Sequence, residues 1–379
     1  MYYSYYIILY LYTFFYYNNN ILILLFILMY KQKQIVIVGA GWYGCHTYKI
    51  LTELYSTKIK ILILDKNQSI FDNSSNFNQN RLHLGYHYPR CSKTRNICKI
   101  GYHKFIKEYR DLLDFIDNNY YCISKDSFID YNTYLQIYLN DTDYTHTIIE
   151  NTFLNNIEGG MINTKEKIIN SDKVKKYFLN LIDINHIKLN YKVNKIENIN
   201  NKIIINDDIE CDLLIDCTYN QQQLSKKNYV YENTISLLYK RINFTNNFDS
   251  LTIMDGPFFS LFPRDITKQL YTLTHVKHTP YSSSLNVNEI LSNNINMIDV
   301  EKIKNNMEID IKKYYKDFKK HFVYCDYFTS YKCKNLCQND SRNCNMEKNG
   351  NIITVNCGKI IGIFEFEEYI KQFMKKFMK

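Results

Sequence analysis

Alanine is all but absent from this 379-residue chain, occurring once, at Ala40. Proline occurs 4 times and glycine 11 times, too few for either to mark domain boundaries, and the sequence holds no internal repeat or long linker. It also lacks an arginine-rich block and any zinc-finger spacing, so nucleic acid is not an expected partner. A disulfide framework is excluded too. The 11 cysteines are odd in number and irregularly spaced, which points to reduced thiols and a cytoplasmic setting. The densest group, Cys333, Cys337 and Cys344 in "CKNLCQNDSRNC", has no fourth ligand nearby, so no metal is expected.

Asn, Ile, Lys and Tyr fill the chain instead, all with A/T-rich codons. Base composition therefore drives much of the residue usage, and propensity arguments weaken. The formal net charge is +9, from 47 basic and 38 acidic side chains. The excess is dispersed apart from the tail "KQFMKKFMK", which suits either a basic cleft for an anionic ligand or a solvated lysine surface.

One apolar run, residues 5–29, is long enough to span a bilayer. Asn18, Asn19 and Asn20 interrupt its middle, where polar groups are costly. No positive segment precedes it and no small-residue cleavage site follows. The expectation is a core that starts at Met29, with residues 1–28 an extension; a membrane anchor is the alternative.

The informative stretch is "QIVIVGAGWYGCHTYKIL", residues 34–51. Ile35, Val36, Ile37 and Val38 suit a strand buried on both faces. Gly39, Gly41 and Gly44 follow as G-x-G-x-x-G, with Ala40 between the first two. Gly39 allows the tight turn, Gly41 lets a pyrophosphate approach the backbone, and Gly44 lets the next helix pack on the strand. Ala40, the one alanine kept against the compositional bias, supports a steric demand there. A second apolar run, "IKILILDK", ends in Asp65, 21 residues beyond Gly44, where a carboxylate can bind a ribose. The unit predicts a dinucleotide site; an ordinary βαβ crossover is the alternative.

Further along, residues 97–119 and 298–320 have helical spacing, and "CDLLIDC" and "NIITVN" read as strands. The nucleotide-binding part is therefore discontinuous.

That order resembles the FAD-dependent oxidoreductases of the D-amino-acid oxidase type. Four segments carry the likeness: "IVIVGAGWYG" with "ILILD"; "NRLHLGYHYPRCSKTRNIC"; "IECDLLIDCT"; and "SRNCNMEKNGNIITVNCGKIIG". The second, with His83, Gly85, Tyr88, Ser92 and Cys98, is most similar to the L-2-hydroxyglutarate dehydrogenase branch. The resemblance implies an α/β fold with a Rossmann-like FAD domain and an α+β substrate domain containing a largely antiparallel sheet. The expected division is 29–95, 171–225 and 335–379 for FAD, and 96–170 and 226–334 for substrate. It implies bound FAD and oxidation of an amine, amino acid or hydroxy acid by hydride transfer. It adds Thr218, Gly358 and Lys359 to the cofactor-binding residues. Two positions depart from the pattern: Tyr219 stands at a family glycine, and Tyr48 at a usually small position in the first helix.

By the same resemblance His83 lies near the flavin ring, and Arg342 is the candidate anchor for a substrate carboxylate. Arg342 could equally pair with Asp340 on the surface. Arg264 could face substrate or solvent, and at most one of His275 and His278 need face the site. A flavin-binding protein without net redox turnover remains the alternative function. An NAD-dependent dehydrogenase fits the opening motif but not the late "GKIIG" turn.

Overall fold

The computed structural model describes residues 32–139, 141–336 and 344–379. The 1–28 extension, Met29 and Arg342 lie outside the described residues. Two large sheets organise the rest. Their strands, with four of the helices, run in chain order as follows. The first part holds β1 (Lys33–Val38), α1 (Trp42–Tyr55), β2 (Ile59–Leu64), α2 (Ser92–Tyr109), β3 (Asn119–Ser124), β4 (His146–Ile149) and β5 (Ile157–Thr164). Next come β6 (Ile187–Lys188), β7 (Leu213–Asp216), β8 (Tyr229–Arg241), β9 (Ser250–Met254), β10 (Phe259–Asp265), β11 (Leu270–His275) and β12 (Pro280–Ser284). The chain closes with α3 (Met297–Tyr314), β13 (Phe322–Asn335), β14 (Asn345–Asn349), β15 (Ile352–Asn356) and α4 (Ile363–Phe377).

The first sheet has the order β14-β15-β7-β1-β2-β6. It is parallel except for the β14–β15 hairpin at its edge. β1 shows why its β-branched run is needed. Ile35 and Ile37 point into a helix-covered core, while Val36 and Val38 point into a second core lined by Ile203, Ile205 and Leu214. The period of two thus satisfies both faces of a buried central strand. Trp42, the chain's one tryptophan, meets Phe71, Phe105, Tyr109 and Phe178 edge-on at 5.3–5.6 Å. Those rings tie the later part of α2, beyond the expected boundary at residue 95, to the parallel-sheet side. Tyr48, where a small residue was expected, is buried, and its hydroxyl meets His186 Nδ1 at 2.9 Å.

The second sheet, order β12-β8-β11-β10-β9-β3-β5-β4 with β13 on β8, is antiparallel apart from the β9–β3 pair. α3 packs over it through Val300, Met307 and Ile311. Among the described residues no helix is long and apolar enough to cross a membrane.

Candidate functional site

A cleft of about 910 Å³ opens at the carboxyl ends of β1, β2 and β7 and extends to the antiparallel sheet. Crevices at that end of a parallel sheet are the usual ligand sites of such folds. Gly39, Gly41, Asp65, His83, Thr218, Gly358 and Lys359 all line it. Ala40 and Gly44 stand just behind its wall.

At one end the site is made of backbone. Gly39 has φ +103°, and a Cβ there would sit 2.8 Å from the Cys217 carbonyl oxygen. A Cβ on Gly44 would run into the Gly39 carbonyl. Both positions therefore admit only glycine. Gly41 differs: its Cβ would meet only the Ser75 side chain, the hydroxyl at 2.5 Å. That hydroxyl also accepts the Trp42 N–H at 3.1 Å. An oxygen thus already stands before the N-terminus of α1, where a phosphate oxygen would be favoured. Asp65 accepts from Ala40 N–H at 2.6 Å and from Asn67 N–H at 2.8 Å, joining the end of β2 to the glycine turn. Each carboxylate oxygen keeps a second lone pair for a ribose hydroxyl.

The opposite wall comes from β7 and the turn after β15. Thr218 N–H donates to Asp216 Oδ1 at 2.9 Å, while Thr218 Oγ1 and Asp216 Oδ2 are buried without a partner. Burial pushes the Asp216 pKa up to about 6. Tyr219 adopts φ 61°, the left-handed conformation for which a glycine is suited. The departure from the family pattern is thus absorbed by the backbone, and the Tyr219 ring packs edge-on to Tyr331 at 5.9 Å. Lys359, nearly buried, donates to Tyr88 Oη at 2.6 Å and lies 3.8 Å over that ring.

Side chains build the far end. The short strand Arg81–Leu82 pairs antiparallel with Lys167–Ile169, Leu82 opposite Lys167. One step further, His83 faces Glu166. Glu166 is fully buried and accepts from Leu84 N–H at 2.7 Å and Tyr121 Oη at 2.5 Å. Burial alone would raise its pKa, but His83, Arg81 and Tyr121 outweigh burial and hold it at about 2. Arg81 is buried as well. It donates to Tyr121 Oη at 2.7 Å and to Thr252 and Ser260 hydroxyls at 2.9 Å, and its Nη1 lies 3.8 Å from Glu166. The His83 ring is 28% exposed to the cleft, yet its Nδ1 is shielded and faces Glu166 Oε1 at 3.8 Å, a long contact with no closer partner. Burial pushes the His83 pKa down to about 4 against the pull of Glu166. The imidazole is therefore neutral at pH 7.

Sequence reasoning missed Arg81, Glu166 and Tyr121. Arg81 alternates with His83 along "RLH", and that was the one available signal. Arg264 does not line the cleft: it donates to Asn76 O at 2.6 Å and lies over Phe328, clamping a loop. Neither His275 nor His278 lines it.

No protein-family model matches the chain. A FAD-dependent monooxygenase, FPY4 of Fusarium mangiferae, is 28% identical over 338 residues, covering 88% of this chain and 89% of that protein. Among solved structures, L-α-glycerophosphate oxidase of Mycoplasma pneumoniae, solved with FAD bound, superposes with a TM-score of 0.65 at 12% identity, over 89% of this chain and 93% of that one. NikD, an amino acid oxidase of nikkomycin biosynthesis, superposes with a TM-score of 0.66 at 10% identity, over 88% and 92%. The fold is that of the FAD-dependent oxidoreductases of the D-amino-acid oxidase type. The likeness extends to this fold as a whole and does not single out its L-2-hydroxyglutarate dehydrogenase branch.

Proposed function

We propose that the chain is an FAD-dependent oxidoreductase that oxidises a small polar substrate, an amine, amino acid or hydroxy acid. The observation that carries the reading is one continuous cleft, leading from the glycine turn and Asp65 to a neutral imidazole backed by the buried Glu166 carboxylate. FAD fits the residues present. Gly39, Gly41 and the N-terminus of α1 would hold its pyrophosphate and Asp65 a ribose. Thr218, Gly358 and Lys359 would flank it. Bound there, FAD supplies a two-electron acceptor for hydride.

The protein supplies position and proton management. His83 orients the substrate and takes the proton that leaves its nitrogen or oxygen. Glu166 lies opposite and stabilises the imidazolium so formed, as a buried carboxylate does beside a catalytic histidine. Arg81 keeps Glu166 ionised. Arg342, outside the described residues, remains the candidate for a carboxylate anchor, since a guanidinium fork meets a carboxylate with two parallel hydrogen bonds.

The 28% identity to a named monooxygenase favours a second reading, oxygen insertion after reduction by a separate donor. The visible spectrum of the purified chain, followed anaerobically, tests both. Flavin bands bleached directly by amines, amino acids or hydroxy acids support dehydrogenation. Bleaching by reduced nicotinamide alone, followed by oxygen transfer to a substrate, supports the second. A colourless protein that retains no flavin after reconstitution overturns both.

A further inference from the structure

The cleft chemistry leaves two thiols unused. In the β14–β15 hairpin Asn345 pairs with Asn356, and one step further out Cys344 stands opposite Cys357. Side chains alternate along each strand. Asn356 therefore turns one way, donating to Cys333 Sγ at 2.9 Å, while Cys344 and Cys357 turn the other way, onto the same face of the hairpin. Opposed residues on antiparallel strands keep their Cα atoms about 4.5–5.5 Å apart. A disulfide spans about 4.4–6.8 Å. Both thiols are free; Cys344 is buried, and Cys357 lines the cleft. Cys344 beside it holds the Cys357 thiol below its ordinary pKa against burial.

We propose that Cys344 and Cys357 are a redox pair that closes into an intrachain disulfide by exchange with a low-molecular-weight disulfide such as glutathione disulfide. Cys357 is the attacking group, because it is the one the cleft exposes. Its thiolate displaces one glutathione thiolate, which takes up the proton Cys357 lost, and leaves a mixed disulfide on Cys357. Cys344 then gives its proton to solvent and attacks Cys357 Sγ, and the second glutathione leaves as thiolate and is protonated. Two protein thiols are oxidised and one small disulfide becomes two thiols. Because Cys357 directly precedes Gly358 and Lys359, the bond fixes the end of β15 where the chain enters the cleft. The pair does not depend on which ligand the cleft takes.

The test is oxidation of the purified full chain, with its bound cofactor, by glutathione disulfide. Alkylation with iodoacetamide, digestion and non-reducing mass spectrometry follow. The expected product is a Cys344–Cys357 cross-linked peptide that dithiothreitol dissolves. In Cys344→Ser the reaction stops at a glutathione adduct on Cys357, and in Cys357→Ser neither product forms. Full alkylation of both thiols at every oxidant concentration overturns the proposal. So does a bond from Cys357 to any other cysteine.

Discussion

Two histidine–carboxylate clusters sit in the antiparallel half of the molecule, and burial pushes one histidine in each, His83 and His275, down to a pKa of about 4. They differ in satisfaction. His278 Nε2 meets Asp310 Oδ2 at 2.7 Å, and His275 Nε2 lies 3.5 Å from the same oxygen. His275 Nδ1 accepts the Lys277 N–H at 3.1 Å, so its Nε2 carries the proton and has no lone pair to offer a cation. Lys313 takes the other Asp310 oxygen at 2.6 Å. This cluster is closed and lies away from the cleft. The His83 cluster is looser: Nδ1 has only the 3.8 Å contact to Glu166, and the ring lines the cleft. A lowered histidine pKa therefore does not mark function; a ring that reaches a cavity with a buried carboxylate behind it does.

The sharpest way to break this comparison is to remove each carboxylate. Glu166→Ala strands the buried Arg81 guanidinium and should cost about 3–5 kcal/mol of unfolding free energy. Asp310→Asn, at a partly exposed carboxylate that also pairs with a surface lysine, should cost under about 1 kcal/mol. Denaturant midpoints with unchanged slopes measure both, and equal losses would erase the distinction. The Glu166 contribution is present above the unfolded pKa near 4.5 and lost as pH falls through about 2, because the folded pKa is the lower one.

Asp216 extends the contrast to a carboxyl with no cation beside it. Its folded pKa, about 6, lies above the unfolded value of 3.8, so the folded state holds the proton more tightly. The native state therefore loses relative stability as pH rises from about 4 to 6. Asp216→Asn keeps the acceptor for Thr218 N–H and should be more stable than wild type by about 2–3 kcal/mol at pH 8, with the gain gone at pH 4. Melting temperatures across pH read this directly. A gain independent of pH would show that the carboxyl titrates alike in the folded and unfolded states.

The smallest expected effect is kinetic. His83→Gln should slow flavin reduction by about ten- to a hundredfold with flavin content intact. His275→Gln should leave it unchanged. Wild-type reduction should fall on the acid side, as the imidazole protonates, and the His83→Gln profile should be flat there. Stopped-flow reduction across pH decides it. An equal loss in both variants would remove His83 from the reacting group.

Legibility followed sequence distance. The glycine turn and Asp65 lie within 27 residues of each other and meet through backbone geometry, so the spacing alone showed that they would come together. Tyr219 hid a glycine-like conformation behind the wrong residue type, since φ is not visible in the letters. Glu166 reaches His83 across 83 positions through a strand pair of two or three residues per side, too short to show any period. Its neighbours Lys165 and Lys167 make it look like a surface charge. Burial inverted that reading.

Trp42 has an optical consequence. The chain's one indole lines the cleft beside the glycine turn and sits inside a cage of four aromatic rings. All tryptophan emission from this protein therefore originates at that single point. A flavin in the cleft absorbs where indole emits, so resonance transfer would quench that light, and fluorescence lifetime becomes a gauge of how many molecules are loaded.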